Sequence, residues 1–243
     1  MLIIGHRGAA GLAPENTLAG FARAVELGVD GVELDVRMAG TETVVIHDER
    51  VDRTTNGTGM VSELGFAVLQ SLDAGNGQRI PTLGEVLELV PRHVMLNVEL
   101  KGSGTARPVA GIVGDLAAGR QTADLPSLLV SSFDHEELRL FREICPGVPC
   151  APLAGRWSDD LESAAGALDA WSVNLSLRAA TEAHVRAVRS WGRRCLVFTV
   201  NDPARAQSLS GIGVTGVFTD YPDRFVVNPV SRLSSSASSR CSS

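Results

Sequence analysis

The sequence predicts an α/β protein folded as a (β/α)8 TIM barrel, with a small insertion after a hairpin at its second strand. Three observations lead there. Short apolar runs alternate with amphipathic stretches along the chain, and strands separated by helices imply parallel βαβ units. Counting the hairpin once gives eight such strands in 243 residues, the usual span of a closed eight-stranded barrel. The residues able to do chemistry fall at the C-terminal ends of strands or on the hairpin, where barrel active sites are built.

Leu2-Ile3-Ile4 is the first strand and stops at Gly5-His6-Arg7-Gly8, whose glycines permit unusual dihedrals or close ligand approach. After Pro14-Glu15-Asn16-Thr17, apolar residues at Leu18, Phe21, Ala22 and Val25 mark a helix ending at Gly28. Gly31 to Val36 is the second strand. Val32, Leu34 and Val36 alternate with Glu33 and Asp35, so the two carboxylates share one face, about 7 Å apart. If the apolar face meets the covering helices, both acids point into the barrel; the same stretch alone also fits an edge strand with a wet, charged face. Met38 to Glu42 is a short polar connection to a strand at Thr43-Val44-Val45-Ile46, which enters His47-Asp48. A connection so short cannot carry a parallel crossover, which makes the pair an antiparallel hairpin. A turn near Gly40 sets Glu33 opposite His47.

Residues 49–79 are rich in Gly, Thr, Asn and Asp, with one weakly apolar patch at 64–72. They form the insertion, laid over the active face; long ordered loops of this kind usually carry function. Thr82 and Glu85 then make a capping box at the head of a helix. Val94 to Lys101 is a strand that sets Asn97, Glu99 and Lys101 on one face. An inward Glu99–Lys101 pair fits either an active site or an internal salt bridge. Further helices are expected at 106–118, 136–144, 161–168, 182–191 and 203–209. Strands are expected at 128–131, 148–152, 170–174, 195–200 and 214–218. Residues 1–230 thus form one barrel domain, and the Ser-rich stretch 231–243 reads as a disordered tail.

Composition narrows the function. A hydrophobic content of 44% suits an ordinary globular core. The net charge of −6, without a Lys/Arg block, argues against a nucleic-acid partner. No apolar run reaches ~18 residues, so no stable membrane insertion is expected, and Met1 to Ile4 is too short for a signal peptide. Cys145, Cys150, Cys195 and Cys241 have no zinc or redox spacing. They read as reduced thiols of a cytoplasmic protein, with a Cys145–Cys150 disulfide left open by their proximity. His93, His135 and His184 lack partners at motif spacing, and Trp157, Trp171 and Trp191 read as packing residues. Nothing in the sequence bears on oligomeric state.

The remaining set is His6, Arg7, Glu33, Asp35, His47, Glu99 and Lys101. Three carboxylates offer hard oxygen ligands that suit Mg²⁺ or Ca²⁺ better than Zn²⁺. A cation with Arg7 and Lys101 is a receptor for phosphate. His6 and His47 supply a general acid and a general base near neutral pH. Such a site asks for a phosphodiester. In the metal-free state, loss of Glu33 or Asp35 is expected to stabilise the protein by relieving like-charge repulsion.

At these residues the chain resembles the glycerophosphodiester phosphodiesterases. The matching stretches include Gly5-His6-Arg7-Gly8, Pro14-Glu15-Asn16-Thr17, Glu33-Leu34-Asp35, His47-Asp48, Arg53 to Gly59, Glu99-Leu100-Lys101, Thr199-Val200-Asn201 and Thr219-Asp220-Tyr221-Pro222. They occur in family order from the first strand to the last. The resemblance implies a barrel with an insertion after His-Asp, and a small-molecule glycerophosphodiester substrate split into glycerol 3-phosphate and an alcohol. It also implies Glu33, Asp35 and Glu99 as ligands of a divalent cation, His6 and His47 as the catalytic pair, and Arg7 and Lys101 on the phosphate. Many members carry Trp where this chain has Phe198, which would alter the wall of the substrate pocket. The insertion also departs from the family pattern at Gly65-Phe66-Ala67-Val68. Two other functions compete: a lysophospholipase D-like lipid phosphodiesterase, and a non-catalytic glycerophosphodiester-binding barrel.

Overall fold

The computed structural model describes residues 1–117 and 125–225, so the Ser-rich stretch 231–243, the expected domain end at 230 and Cys241 lie outside the described residues. Nine strands appear in it: β1 (Leu2–Gly5), β2 (Gly31–Ala39), β3 (Glu42–Val45), β4 (Met95–Leu100), β5 (Leu128–Ser132), β6 (Cys150–Ala154), β7 (Ser172–Ser176), β8 (Arg194–Phe198) and β9 (Gly216–Thr219). The helices are α1 (Leu18–Leu27), α2 (Phe66–Ser71), α3 (Leu83–Leu89), α4 (Ala106–Ala117), α5 (His135–Ile144), α6 (Leu161–Ala167), α7 (Glu182–Ser190) and α8 (Pro203–Gly211). The sheet runs β1-β9-β8-β7-β6-β5-β4-β2, and β1 pairs with β2 to close it into a barrel of parallel strands. β3 lies antiparallel against β2, outside this ring.

Helix ends follow local chemistry. Thr17 accepts a hydrogen bond from Gly20 N at the head of α1, and Gly28 ends that helix in the left-handed region at φ 80°. The capping box at Thr82 and Glu85 is formed in both directions. Asp134 accepts from the amides of Glu136 and Glu137, and Asp202 from Ala204. β6 begins at Cys150, two residues later than expected, with Val148 N tied back into a turn by the Cys145 carbonyl at 3.0 Å.

The hairpin corrects one expectation. Val36 pairs with Val45 and Ala39 with Glu42, while Gly31 to Val36 pair with Met95 to Leu100. β1 closes the barrel against Gly31 and Val32 on one edge of β2, which leaves that edge to β3 only from Val36 onward, while β4 takes the other edge. Glu33 lies beside Asn97 of β4, in a stretch that does not pair with β3, and so is not opposite His47.

The alternation along β2 orients as expected. Val32, Leu34 and Val36 join the main core between sheet and helices, whereas Glu33 and Asp35 turn inward, both buried. Burying one such aliphatic side chain contributes about 1.5–3 kcal/mol. Ile4, Met95, Leu129, Ala151, Leu196 and Phe218 form a second cluster contributed by six barrel strands. The inserted segment has a core of its own, in which Val51, Val61, Leu69 and Ile80 pack with Val44 and Ile46.

The loop after β1 holds His6 and Arg7 in place by close backbone contact. Gly8 has φ +84°, and a Cβ there would meet Gly20 C at 2.6 Å. Arg7 has φ 51°. Gly8→Ala is therefore expected to destabilise the fold by more than about 1 kcal/mol, since the left-handed conformation and the clash add; urea unfolding of the variant measures this.

Candidate active site

A cleft of about 170 Å³ is lined by the polar residues His6, Arg7, Glu33, His47, Asn97, Glu99, Lys101 and Thr199 and by the apolar residues Phe133, Leu153, Phe198 and Phe218. Parallel pairing places Asp35 of β2 beside Glu99 of β4. With Glu33 they form a cluster whose ligand oxygens all lie within 4.8 Å of one another. This arrangement could hold a divalent cation. Asp35 is the best compensated of the three: Arg7 Nε lies 3.3 Å from it and Lys101 Nζ 3.7 Å, and Asn16 Nδ2 donates to it at 2.9 Å. Glu33 accepts from the Arg7 amide at 2.8 Å, but its buried Oε1 has no hydrogen-bond partner among the described residues. Glu99 accepts from Lys101 Nζ at 2.8 Å.

Burial, with the charges of Asp35 and Glu99, pushes the Glu33 carboxyl well above the carboxylate range. Burial first, then Asp35, raises Glu99 to about 7. Glu33 and Glu99 are thus the two acids whose ionised forms are least compensated. Loss of Asp35 would also take one partner each from Arg7 and Lys101, which keep Glu15 and Glu99, so relief of repulsion is expected to be larger for Glu33 than for Asp35.

The two imidazoles stand differently. His6 follows β1, and its Nδ1 donates to Asp220 Oδ1 at 2.7 Å; Asn201 Nδ2 donates to Asp220 Oδ2 at 2.7 Å. Although burial opposes it, hydrogen bonds from His6 and Asn201 hold the Asp220 carboxyl below its ordinary value. His47 Nδ1 donates to Asp48 Oδ1 at 2.6 Å, and its Nε2 lies 3.1 Å from Lys101 Nζ. Burial pulls the His47 imidazole down, against Asp35 and Asp48, which raise it. Arg37 of β2 donates to the His47 carbonyl at 2.7 Å and so fixes the backbone there.

All eight residues singled out from sequence, Phe198 included, belong to this cleft or to its acidic cluster. Sequence reasoning assigned no role to Asp220, Asn201, Glu15, Arg53, Phe133 or Leu153, although the first four fall in the stretches that carry the resemblance. Asp220 and Asn201 carried a usable signal, being polar residues just after barrel strands. Phe133 and Leu153 carried none, because apolar residues at strand ends are ubiquitous. Of the remaining histidines, His93 is exposed. His135 and His184 each bond a backbone carbonyl, and His184 stacks on Trp157. Cys145, Cys150 and Cys195 are free thiols, which closes the question of a Cys145–Cys150 bridge.

Phosphoryl chemistry is what a barrel mouth of this composition serves, and by class the chain is a (β/α)8-barrel phosphodiesterase. Residues 6–224 match the model of the glycerophosphoryl diester phosphodiesterase family, and the chain belongs to that family. The protein YhdW of Bacillus subtilis is 38% identical over 235 residues, covering 92% of this chain and 96% of its own length. A glycerophosphodiester phosphodiesterase of Caldanaerobacter subterraneus subsp. tengcongensis is 34% identical over 240 residues, covering 93% and 96%. The structure of an Oleispira antarctica phosphodiesterase, in complex with the product sn-glycerol-3-phosphate, superposes with a TM-score of 0.84 at 31% identity, covering 92% and 94% of the two chains. No helix among the described residues is long and apolar enough to cross a membrane.

A carboxyl whose pKa is raised on folding favours the folded state only while protonated. For Glu99 that contribution is complete below its ordinary value of 4.5 and is lost as pH rises through about 7. In chelator, Glu99→Gln should melt close to wild type at pH 5 and above it at pH 8. Thermal melts of both proteins across this range measure the divergence, and parallel curves contradict it.

Proposed function

We propose that the chain hydrolyses glycerophosphodiesters to glycerol 3-phosphate and an alcohol, with Mg²⁺ or Ca²⁺ held by Glu33, Asp35 and Glu99. The observation that carries this reading is the convergence of three carboxylates, within 4.8 Å, in a cleft that also holds both imidazoles. The donor set fits such an ion: all oxygen, buried, with an orphaned Glu33 Oε1 and two carboxyls whose pKa values are raised by burial and by the neighbouring acids. When bound, the ion neutralises charge developing on the phosphoryl oxygens.

The chain's own residues do the rest. Arg7 and Lys101 bind the non-bridging oxygens and orient the phosphate. Asp220 accepts the Nδ1 proton of His6, which leaves Nε2 free to take a proton from a substrate hydroxyl and stabilises the imidazolium so formed. In a glycerophosphodiester, the glycerol hydroxyl next to the esterified carbon is the nucleophile. Its attack is intramolecular and benefits from the effective molarity of that geometry. Its oxygen bonds to phosphorus, the bond to the leaving alcohol breaks, and His47 protonates the departing oxygen. Water then opens the cyclic phosphate with the two histidines exchanging roles. Phe198, with Phe133 at 5.7 Å in an edge-on contact, forms the apolar wall that holds the organic part of the substrate.

Residues 1–230 are the catalytic domain in this reading, with the Ser-rich stretch 231–243 outside it. The free thiols favour a cytoplasmic setting.

Incubation with glycerophosphocholine and with lysophosphatidylcholine, in chelator and then with Mg²⁺ or Ca²⁺ restored, tests the assignment. Glycerol 3-phosphate and choline should appear from the first substrate and only with the ion. Preferential turnover of the lysolipid would favour the lipid phosphodiesterase instead. Full activity in chelator, with metal shown absent, would remove the three carboxylates from the ligand set. The cyclic route has its own check: a diester whose glycerol lacks the 2-hydroxyl should react at least ~100-fold more slowly, on the scale of lost intramolecularity. If it turns over as fast as the parent, water attacks phosphorus directly.

A further inference from the structure

We infer that Arg53 is a positioning residue for His47: from the inserted segment it fixes Asp48, the carboxylate that orients that imidazole, and is itself braced by Glu15. The inference rests on the reading above, in which His47 acts on the substrate.

The guanidinium makes four hydrogen bonds to two carboxylates. Arg53 Nε donates to Asp48 Oδ2 at 2.6 Å and an Nη to Asp48 Oδ1 at 3.1 Å, while both Nη groups donate to Glu15, at 2.8 and 2.7 Å. Each carboxylate passes the constraint inward. Asp48 Oδ1 accepts His47 Nδ1–H at 2.6 Å, and Glu15 Oε1 accepts from Arg7 at 2.8 Å. Arg7 in turn reaches Asp35. Arg53 thus ties the imidazole after β3 to the guanidinium after β1, although it lines no part of the cleft.

An Arg53 side chain that is 48% exposed would ordinarily make a weak surface ion pair. Two features set it apart. A fork with every nitrogen engaged fixes angles as well as distance, and a lysine ammonium cannot bridge two carboxylates in that way. Its backbone is also anchored: Val51, two residues earlier, is fully buried, accepts from Thr55 N at 3.0 Å and donates to Gly59 O at 3.0 Å. The side chain therefore projects from a fixed base. Without it, Asp48 is free to turn into solvent and His47 loses the partner that holds its Nδ1–H form toward the loop and its Nε2 toward the cleft. Hydrogen-bond partners that orient a metal-ligating histidine typically matter about 10–100-fold, and the same scale is expected for one that orients an acid/base histidine.

The experiment compares Arg53→Met, Arg53→Lys, His47→Gln and the double variant Arg53→Met/His47→Gln. Each is assayed with metal on glycerophosphocholine and on glycerophospho-4-nitrophenol, whose phenolate departs without a proton. His47→Gln sets a signature, the ratio of its losses on the two substrates. Arg53→Met should lose about 10–100-fold on the choline diester, share the His47→Gln ratio, and add nothing to His47→Gln in the double variant. Arg53→Lys should behave like Arg53→Met, which keeps the test open if Arg53→Met fails to fold. The His47 Nδ1–H resonance, seen by ¹⁵N-edited NMR in wild type, should weaken in the Arg53 variants. Full activity in His47→Gln defeats the role of His47 and this inference with it. A disabled His47→Gln, together with an Arg53→Met defect of different ratio or one that multiplies in the double variant, overturns the inference alone. So does wild-type activity in Arg53→Lys.

Discussion

The constraint on which the site depends is the gathering of like charge at one register of the barrel. Parallel pairing sets Asp35 directly beside Glu99, and the two-residue period of β2 brings Glu33 onto the same inner face. At separations of no more than 4.8 Å and an effective dielectric constant near 20, each pair of ionised carboxylates repels by about 3 kcal/mol or more. Much of the surrounding structure offsets this repulsion. The Arg7 and Lys101 side chains converge on Asp35, the Arg7 amide faces Glu33, and Asn16 donates from the loop after β1. With all three ionised, three carboxylates against two cations leave one negative charge over, a balance that a divalent cation and an anionic substrate would complete together.

That electrostatic arrangement shapes the backbone as well as the side chains. Arg7 and Asn16 both occupy the left-handed region, at φ 51° and 56°, where a side chain is disfavoured. Their strain lies where their hydrogen bonds to Glu33 and Asp35 are made. The fold tolerates it because the adjoining chain is tightly held: the Arg7 carbonyl accepts from Asn16 N at 3.0 Å, and Ala9 N donates to Gly20 O at 3.0 Å.

Much of this could be read from the residues before any coordinates. The alternation in β2 told which face was apolar, and the shortness of the connection at Gly40 told that a hairpin followed. Period and loop length are local properties, so local sequence reports them. The register of that hairpin was not legible, because β1, a strand outside the hairpin, shares with β3 the edge of β2 that β4 does not occupy. The same holds for the supports of the two imidazoles. Asp220 meets His6 across 214 positions, and Arg53 meets Glu15 across 38. Side chains that act on substrate announce themselves by residue type at strand ends; those that hold them in place are chosen by tertiary contact.

The bond between His6 and Asp220 joins the first strand of the barrel to the residue just past the last. Synthesis proceeds from one to the other, so a ribosome-bound chain lacks this pair until nearly the whole barrel has emerged. The apolar seam between β1 and β9 closes at the same moment. Maturation of the catalytic centre is thereby tied to topological completion: a truncated or half-folded polypeptide can carry the acidic cluster of β2 and β4 and still lack the histidine–aspartate pair.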